Sequence, residues 1–388
     1  MSKKIKSLVF LGLALVLTFS LVAVACAPKA SVGEVVPKEQ LTKAQADLAA
    51  EQQKTAAAEK KTKDVEAQLA SSQKPAKTIS IKLESSATSG NKFDAANYFK
   101  KFVEESSDGR IKVDIILGEA IVATAEQITA IRDGVFDMIL SWGPWYRDKL
   151  FLYDIIIYTQ AVFDKPSDYW AMLRYHGWEE LEKEQLAEWN TEYIGSLAFE
   201  PGNNMVSKIP LKSINDVKGV KMRTAGTLAM VMEALGANVV WFALSEVYTG
   251  LQSGLVDAAT GDSPSGMYGL GLAEVAKYWI MPCIYRVDEM DLWANQDFWG
   301  TLTPADKQLL TNCGWSAMSQ ASFDNYWLCM DAVSKAQQEG VQIIYWTDAD
   351  SKIYAETAMQ VLPQPKDTRS TEALNSLTEY LRSVGYIE

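Results

Sequence analysis

Apolar and polar residues alternate along ISIKLES, Ile79–Ser85, the period-two mark of a strand with one buried face. A polar loop, SSATSGNKF, follows. FDAANYFKKFVEES then sets Phe93, Ala96, Phe99 and Val103 on one side of a helix. Asp108-Gly109 turns the chain into RIKVDIIL, a second strand. Further on, Leu211–Pro264 reads as strand, helix, strand, helix, strand, and Arg223 closes the first of these strands. Between these regions DKPSDYWAMLRYHGWEELEKEQLAEWN is helical, and TEYIGSLAFE returns as a strand toward a hinge. Later, PSGMYGLGLAEVAKYW is a loop and helix, and RVDEMDLWANQDFWGTL a strand and crossover. Thr303–Glu339 is one long amphipathic helix or two in sequence, VQIIYW is a late strand, and the tail is helical.

Two of these stretches echo each other. EQITAIRDGVFDMI and EVYTGLQSGLVDAA align without a gap at an offset of 120 residues. Glu126 matches Glu246, Thr129 matches Thr249, Ile131 matches Leu251, Gly134 matches Gly254 and Asp137 matches Asp257. In both, a helix ends at a glycine suited to left-handed geometry and an aspartate precedes the next strand. The repeat predicts two α/β lobes of similar build with a cleft between them, which is a binding architecture first of all.

The amino terminus differs in kind. MSKKIKSLVFLGLALVLTFSLVAVAC has a basic start, a long apolar run and small residues before Cys26, as a secretory signal does. Ala23-Val24-Ala25 suits ordinary signal peptidase. Followed by Cys26, the same residues resemble a bacterial lipobox, with Ala23 where leucine is usual, and Cys26 as the lipidated residue. An uncleaved membrane anchor is the third reading. We adopt the lipoprotein, which puts the bulk of the chain outside the cytoplasm on a lipid anchor. From Glu39 to Ser72 the chain turns to Ala, Lys, Glu and Gln without Gly or Pro. Leu41, Leu48, Thr55, Thr62 and Leu69 recur every seven residues. This is a helical spacer with a thin heptad seam, either solvated or paired as a coiled coil.

Composition narrows the chemistry. The 388 residues are 48% hydrophobic, enough for two ordinary domains with cores. Losing Lys3, Lys4 and Lys6 with the leader takes the net charge from −12 to about −15. An acidic surface argues against nucleic acid, and it means that an anionic ligand must be held by a local cation. His176 is the one histidine, so a His-rich metal site is excluded; its plain reading is a helix-end or surface residue. Cys313 and Cys329 lie about 24 Å apart along one helical run, beyond disulfide reach. Cys283 remains open as a partner, with buried free thiols as the default.

INDVKGVKMRTAG, VVWFALSEVYTGLQSGLVDAA and LGLAEVAKYW resemble the substrate-binding proteins of tripartite ATP-independent periplasmic (TRAP) transporters, the dicarboxylate-binding-protein-like family. DGRIKVDIILGEAI, DKLFLYDIIIYTQAVF and WGTLTPADKQLL fall in the family's order. The resemblance runs from Thr78 onward. Its most specific blocks are Lys218–Arg223 and Glu246–Asp257. It implies an α/β, two-lobed periplasmic-binding-protein fold of type II-like build, with crossing strands and a long lobe-spanning helix. The first lobe is then 78–200 and 289–328, and the second 201–288 and 329–388. Residues 1–25 form the signal peptide, and 26–77 the lipidated amino terminus and spacer.

The implied function is a receptor, not an enzyme and without cofactor or metal. It takes an organic acid between its lobes and delivers it to a TRAP-type permease. The family's substrate arginine falls on Arg223, whose planar fork suits a carboxylate better than lysine does. Where many members carry a further polar contact, this chain has Asn203 and Asn204. It has Gly261-Asp262-Ser263-Pro264 where acid-sugar binders have an Asn-Pro pair, and it lacks the Glu-Trp pair of oxo-acid binders at Thr260-Gly261.

Other site candidates follow from position. Trp241 is either core packing or an apolar wall of the cleft. Trp142 and Trp145 end the matching strand of the other lobe, and one of the two is expected to be structural. Ser85, Ser86 and Thr88 either hold an anion or cap the next helix. Asp262 orients Arg223 or accepts from a ligand hydroxyl, with Ser263 beside it; Asn295 is a lesser candidate. A ligand-sensing subunit is the alternative function. A hydrolase built on Gly261-Asp262-Ser263 and His176 is the lesser one, because that histidine precedes the serine in a helical segment. Both the spacer and the long helix could pair two copies as a homodimer. Cys26→Ser is expected to release the protein from the membrane fraction, checked by fractionation and immunoblotting; retention would favour the uncleaved helix.

Overall fold

The computed structural model describes residues 38–72 and 78–387, apart from 88, 89, 119, 164 and 200. The signal peptide, Cys26 and Thr88 lie outside the described residues. Two compact units divide at residues 76 and 77. The first contains a single 35-residue helix, Lys38–Ser72, about 52 Å long at 1.5 Å per residue. Among the described residues, no helix is long and apolar enough to cross a membrane.

The second unit is built on two sheets. Its strands are β1 (Ile79–Ser85), β2 (Ile111–Leu117), β3 (Met138–Ser141), β4 (Thr191–Phe199), β5 (Met205–Ser207) and β6 (Lys221–Arg223), followed by β7 (Asn238–Val240), β8 (Ala258–Thr260), β9 (Tyr278–Met281), β10 (Asp288–Asn295) and β11 (Gln342–Tyr345). One sheet has the order β2-β1-β3-β10-β4, the other β11-β9-β5-β8-β6-β7. β1 pairs in parallel with β2 and β3. β6 does the same with β7 and β8. Each parallel trio is extended by one antiparallel strand from elsewhere in the chain: β10 beside β3, and β5 beside β8. Read from β2 and from β7, the two sheets therefore have one topology.

The 120-residue repeat is real at atomic detail. A 3-10 turn, Thr124–Glu126, leads into helix Gln127–Arg132; its counterparts are Leu244–Glu246 and Val247–Ser253. Gly134 and Gly254 end these units at φ +74° and +78°, where a side chain is strained. The Asp137 N–H donates to Lys82 O (3.0 Å), and the Asp257 N–H to Lys221 O (2.8 Å). Their carbonyls accept from Asn295 N–H (2.9 Å) and Lys208 N–H (2.8 Å), the ends of the inserted strands.

The chain crosses between the sheets from β4 to β5, from β9 to β10, and along the helix Pro304–Gln338. That helix is continuous, and its caps explain where it begins. Thr303 accepts from Asp306 N–H, and Pro304 stands at its first position. Its first half buries Leu310, Ala317, Met318 and Ala321 in the core of the first sheet. Its end buries Val333 and Ala336 in that of the second. Arg110 pairs with Asp306 at its start. Cys283, Cys313 and Cys329 are buried thiols outside any disulfide.

The last helix, Thr368–Ser383, packs on helices that precede β4. Tyr380 donates to Asp168 (2.8 Å) and meets Phe163 edge-on at 6.0 Å. Ser376 donates to His176 O (2.9 Å). The apolar stripe Ala373, Leu377, Leu381 finds its partners there, because burial follows whichever apolar face is open and not order along the chain. The expected helix over 164–190 is two, Pro166–Tyr175 and Trp178–Ala187, parted at Gly177 with φ +80°. His176 is the exposed end of the first.

The two short crossings touch. Tyr285 N–H donates to Asn203 O (3.2 Å), and a Cβ added at Gly202 would lie 2.5 Å from Tyr285 O. Gly202→Ala is expected to lower the free energy of unfolding by about 1–3 kcal/mol by prising these backbones apart. Urea titration checks it; an unchanged midpoint would mean the crossings are loosely joined.

Candidate functional site

Arg223 ends β6 at 5% exposure. Its Nε donates to Phe242 O (3.0 Å) and its Nη1 to Thr260 O (2.7 Å). Both partners are backbone, one from the turn after β7 and one from the end of β8. No carboxylate pairs with it among the described residues. Burial lowers its pKa from the ordinary arginine value, yet guanidinium remains charged at any physiological pH. Gly261 follows at φ +148°, and a side chain there would run into Arg223 Nη1. The guanidinium is thus fixed by neutral carbonyls, with its charge uncancelled. Such a group suits an anion that arrives from outside.

A cleft of about 270 Å³ is lined by Asn203, Asp262, Ser263, Asp94, Asp288 and Asn325 among others, and Arg223 is not part of its lining. It joins three predicted residues, Asn203 from the crossing between β4 and β5 and Asp262 and Ser263 from the segment after β8. Asp262 does not orient Arg223. Its carboxylate accepts from Ser263 N–H (2.6 Å) and Ser263 Oγ (3.2 Å), and its carbonyl from Asn204 N–H (2.7 Å). Burial raises the Asp262 pKa above the usual carboxylate value. Ser263 caps the helix Pro264–Gly269. Asn204 is fully buried, and its Nδ2 has no partner.

The remaining candidates lie elsewhere. Trp241 is 72% exposed just after β7, so it is not core packing. Trp142 and Trp145 meet edge-on at 5.7 Å after β3. Trp142 is half-buried and Trp145 exposed at 38%. Asn295 is structural: it caps the helix Gln296–Gly300 and donates to Ile131 O (2.9 Å). Ser85 turns inward to Ala87 O (2.9 Å). Ser86 Oγ lies 2.9 Å from Glu84 Oε2, 2.9 Å from Gln127 Oε1 and 2.7 Å from Ser141 Oγ, so it serves neither as a cap nor as a free anion donor.

That last network was missed from sequence. Glu84 is fully buried, and its Oε1 accepts from Gln127 Nε2 (2.7 Å). Tyr146 completes the group through Ser141 (2.6 Å) and Gln127 (3.0 Å). In ISIKLES the alternation marks Glu84 as outward-facing, and Ser80 and Lys82 on that face are exposed, but at Glu84 the face is covered by Gln127 and its neighbours. The repeat gave no signal for it, because at its 120-residue offset Glu84 falls on Asn204 and not on Arg223. A second buried acid group brings Glu289 and Asp291, on the odd-numbered face of β10, together with Glu182 of the helix Trp178–Ala187. Burial pushes each upward, Asp291 to about 6.

Burial raises Glu84 from 4.5 to about 8, against the smaller lowering effects of Ser86 and Gln127. Between these values the unfolded chain ionises there and the folded chain does not, so stability falls as pH rises through the window. Glu84→Gln, which cannot ionise, is expected to gain on the parent across pH 4.5 to 8, by on the order of a few kcal/mol. Urea midpoints at several pH values check it; a constant difference would refute the assignment.

Comparison with known proteins agrees with this architecture. The family model described as bacterial extracellular solute-binding protein, family 7 (DctP), matches residues 84–365. A monocarboxylate 2-oxoacid-binding periplasmic protein of Nostoc is 25% identical over 213 residues, 54% of this chain and 58% of its own. The C4-dicarboxylate-binding periplasmic protein DctP of Rhodobacter capsulatus is 30% identical over 191 residues, 46% of this chain and 54% of its own. The chain spans little more than half the length of these two relatives. Among solved structures, a TRAP periplasmic solute-binding protein from Rhodobacter sphaeroides in an apo open form shares the two-lobed fold. It aligns at a TM-score of 0.70 and 23% identity, over 79% of this chain and 99% of its own. With most of its second unit covered by the family model, the chain belongs to the bacterial extracellular solute-binding protein family 7, the DctP family.

Proposed function

We propose that this chain is an extracytoplasmic receptor, without enzymatic activity, that binds an organic acid between its two lobes and delivers it to a TRAP-type membrane permease. The observation that carries this is Arg223: buried, held by two backbone carbonyls, and without an acidic partner among the described residues. A ligand carboxylate supplies the missing charge, through the N–H groups the carbonyls leave unused. The relatives named for 2-oxoacids and C4-dicarboxylates support an acid as cargo.

Asn203, Asp262 and Ser263 line the cleft and orient the rest of the ligand. Trp241 forms a wall on the second lobe, and Trp142 with Trp145 a wall on the first, with Ser86 beside them. Closure of the lobes brings these walls together, excludes water and strengthens the charge pairing. Lobe boundaries near residues 200 and 288 follow the two crossings. The leader at 1–25 directs export and is removed, and lipidation at Cys26 with the helix Lys38–Ser72 as spacer holds the receptor on the outer face of a membrane. Pairing of two copies fits Phe323, Tyr326 and Trp327, which the long helix leaves exposed.

Arg223→Ala is expected to abolish carboxylate binding, a loss of about 2–5 kcal/mol for a desolvated charge pair. Arg223→Lys should rescue it poorly, because a point charge cannot reproduce the fork. Isothermal titration of the bound acid decides; unchanged affinity in the alanine variant would refute the site.

A further inference from the structure

The two sheets carry opposite chemistry at one equivalent position. Asp137 bonds Lys82 as Asp257 bonds Lys221, so these lysines occupy matching places on β1 and β6. Two residues further along each strand stand Glu84 and Arg223. The ladders agree: Glu84 pairs with Ile139 on β3, and Arg223 with Ala259 on β8. Ile139 and Ala259 are themselves 120 residues apart, the offset of the repeat. Both side chains run toward the segment before the repeated helix. Arg223 reaches Phe242 O, while Glu84 meets Gln127, which in turn reaches Gly118 O (3.2 Å). Both positions close the carboxyl ends of parallel strands, where open α/β sheets bind their ligands.

We propose that Glu84 is the first lobe's counterpart of Arg223, and that the ligand is a small zwitterion whose carboxylate goes to Arg223 and whose ammonium group goes to Glu84. This rests on the carboxylate-receptor reading above and names its substrate class. Glu84 has no basic side chain in ion-pair distance among the described residues. Each of its oxygens accepts one hydrogen bond, from Gln127 or from Ser86, and keeps capacity for another. Tyr146, which feels both Glu84 and Asp291, is a titratable neighbour and not a cation, and Lys149 bonds Ala125 O and Glu126 instead. Burial keeps Glu84 protonated at neutral pH. An arriving ammonium stabilises the carboxylate, and the acid's proton leaves to solvent while the ammonium keeps its own. The cleft wall adds Asp94, Asp262 and Asp288, the last paired with Lys92 at 3.0 Å. A second carboxylate on the ligand would meet these acids; an ammonium is favoured by them.

Titration calorimetry on the full chain tests this with matched probes: propionate and β-alanine, butyrate and 4-aminobutyrate, valerate and 5-aminovalerate, with 4-hydroxybutyrate as the neutral donor. For at least one length, the ammonium acid is expected to bind about tenfold or more tightly than its plain partner. Its binding should release about one proton at pH 7, read from heats in phosphate and in Tris. Glu84→Gln should lose the preference and the proton release while still binding the plain acid. Arg223→Ala should bind neither. If plain or hydroxy acids bind the parent as well as ammonium acids do, and depend on Arg223, this proposal falls and the receptor reading stands. If Glu84→Gln keeps the preference and the proton release, the proposal also falls. If no carboxylate of either series binds, both fall. Proton release by the unaltered protein remains decisive should the variant fail to fold.

Discussion

A buried guanidinium without a carboxylate beside it is costly, because burial removes water that a full positive charge would otherwise hold. In this chain Arg223 carries that cost with only Phe242 O and Thr260 O as partners. Those carbonyls are placed by different elements: the turn after β7 and the end of β8. Gly261 then has to be glycine, since its backbone lies at φ +148° and a side chain there would strike the guanidinium. Much of the second lobe can be understood as the frame that keeps this charge fixed and unneutralised.

The frame is duplicated. Each sheet has a parallel trio with an antiparallel strand threaded in from elsewhere in the chain, β10 in one case and β5 in the other. The aspartate after each repeated helix pins the inserted strand through its carbonyl. Because an inserted strand hydrogen-bonds a whole edge, each lobe is completed only when the chain has crossed. The crossings are therefore part of the two cores. The long helix joins them by burying one half in each core, so a change of angle between the lobes has to be absorbed around Asn203, Tyr285 and the middle of that helix.

Electrostatics divide between the lobes. The second keeps an ionised arginine without an anion; the first keeps Glu84, which burial holds neutral near pH 7. Neither lobe stabilises itself fully at these positions, as is usual where a site is held ready for a ligand. Trp145 and Trp241 are exposed and Trp142 is half-buried.

Much of this was legible in the sequence. The strands Ile79–Ser85 and Ile111–Leu117, the five elements of Leu211–Pro264 and the 120-residue repeat all follow from local periodicity and turn chemistry, which a short window of residues determines. Arg223 was singled out by the strand end that it closes and by the family resemblance; that it is buried with two carbonyl partners was decided by the fold. Glu84 was not, because alternation along one strand marks a face as polar without saying what will cover it. The contacts of the last helix were not legible for a related reason: the stripe Ala373, Leu377, Leu381 states that a face is buried, and only the folded chain decides against what. Local patterns are properties of a few neighbouring residues. Which faces meet, and which charges are left without partners, depends on groups brought together from distant parts of the chain.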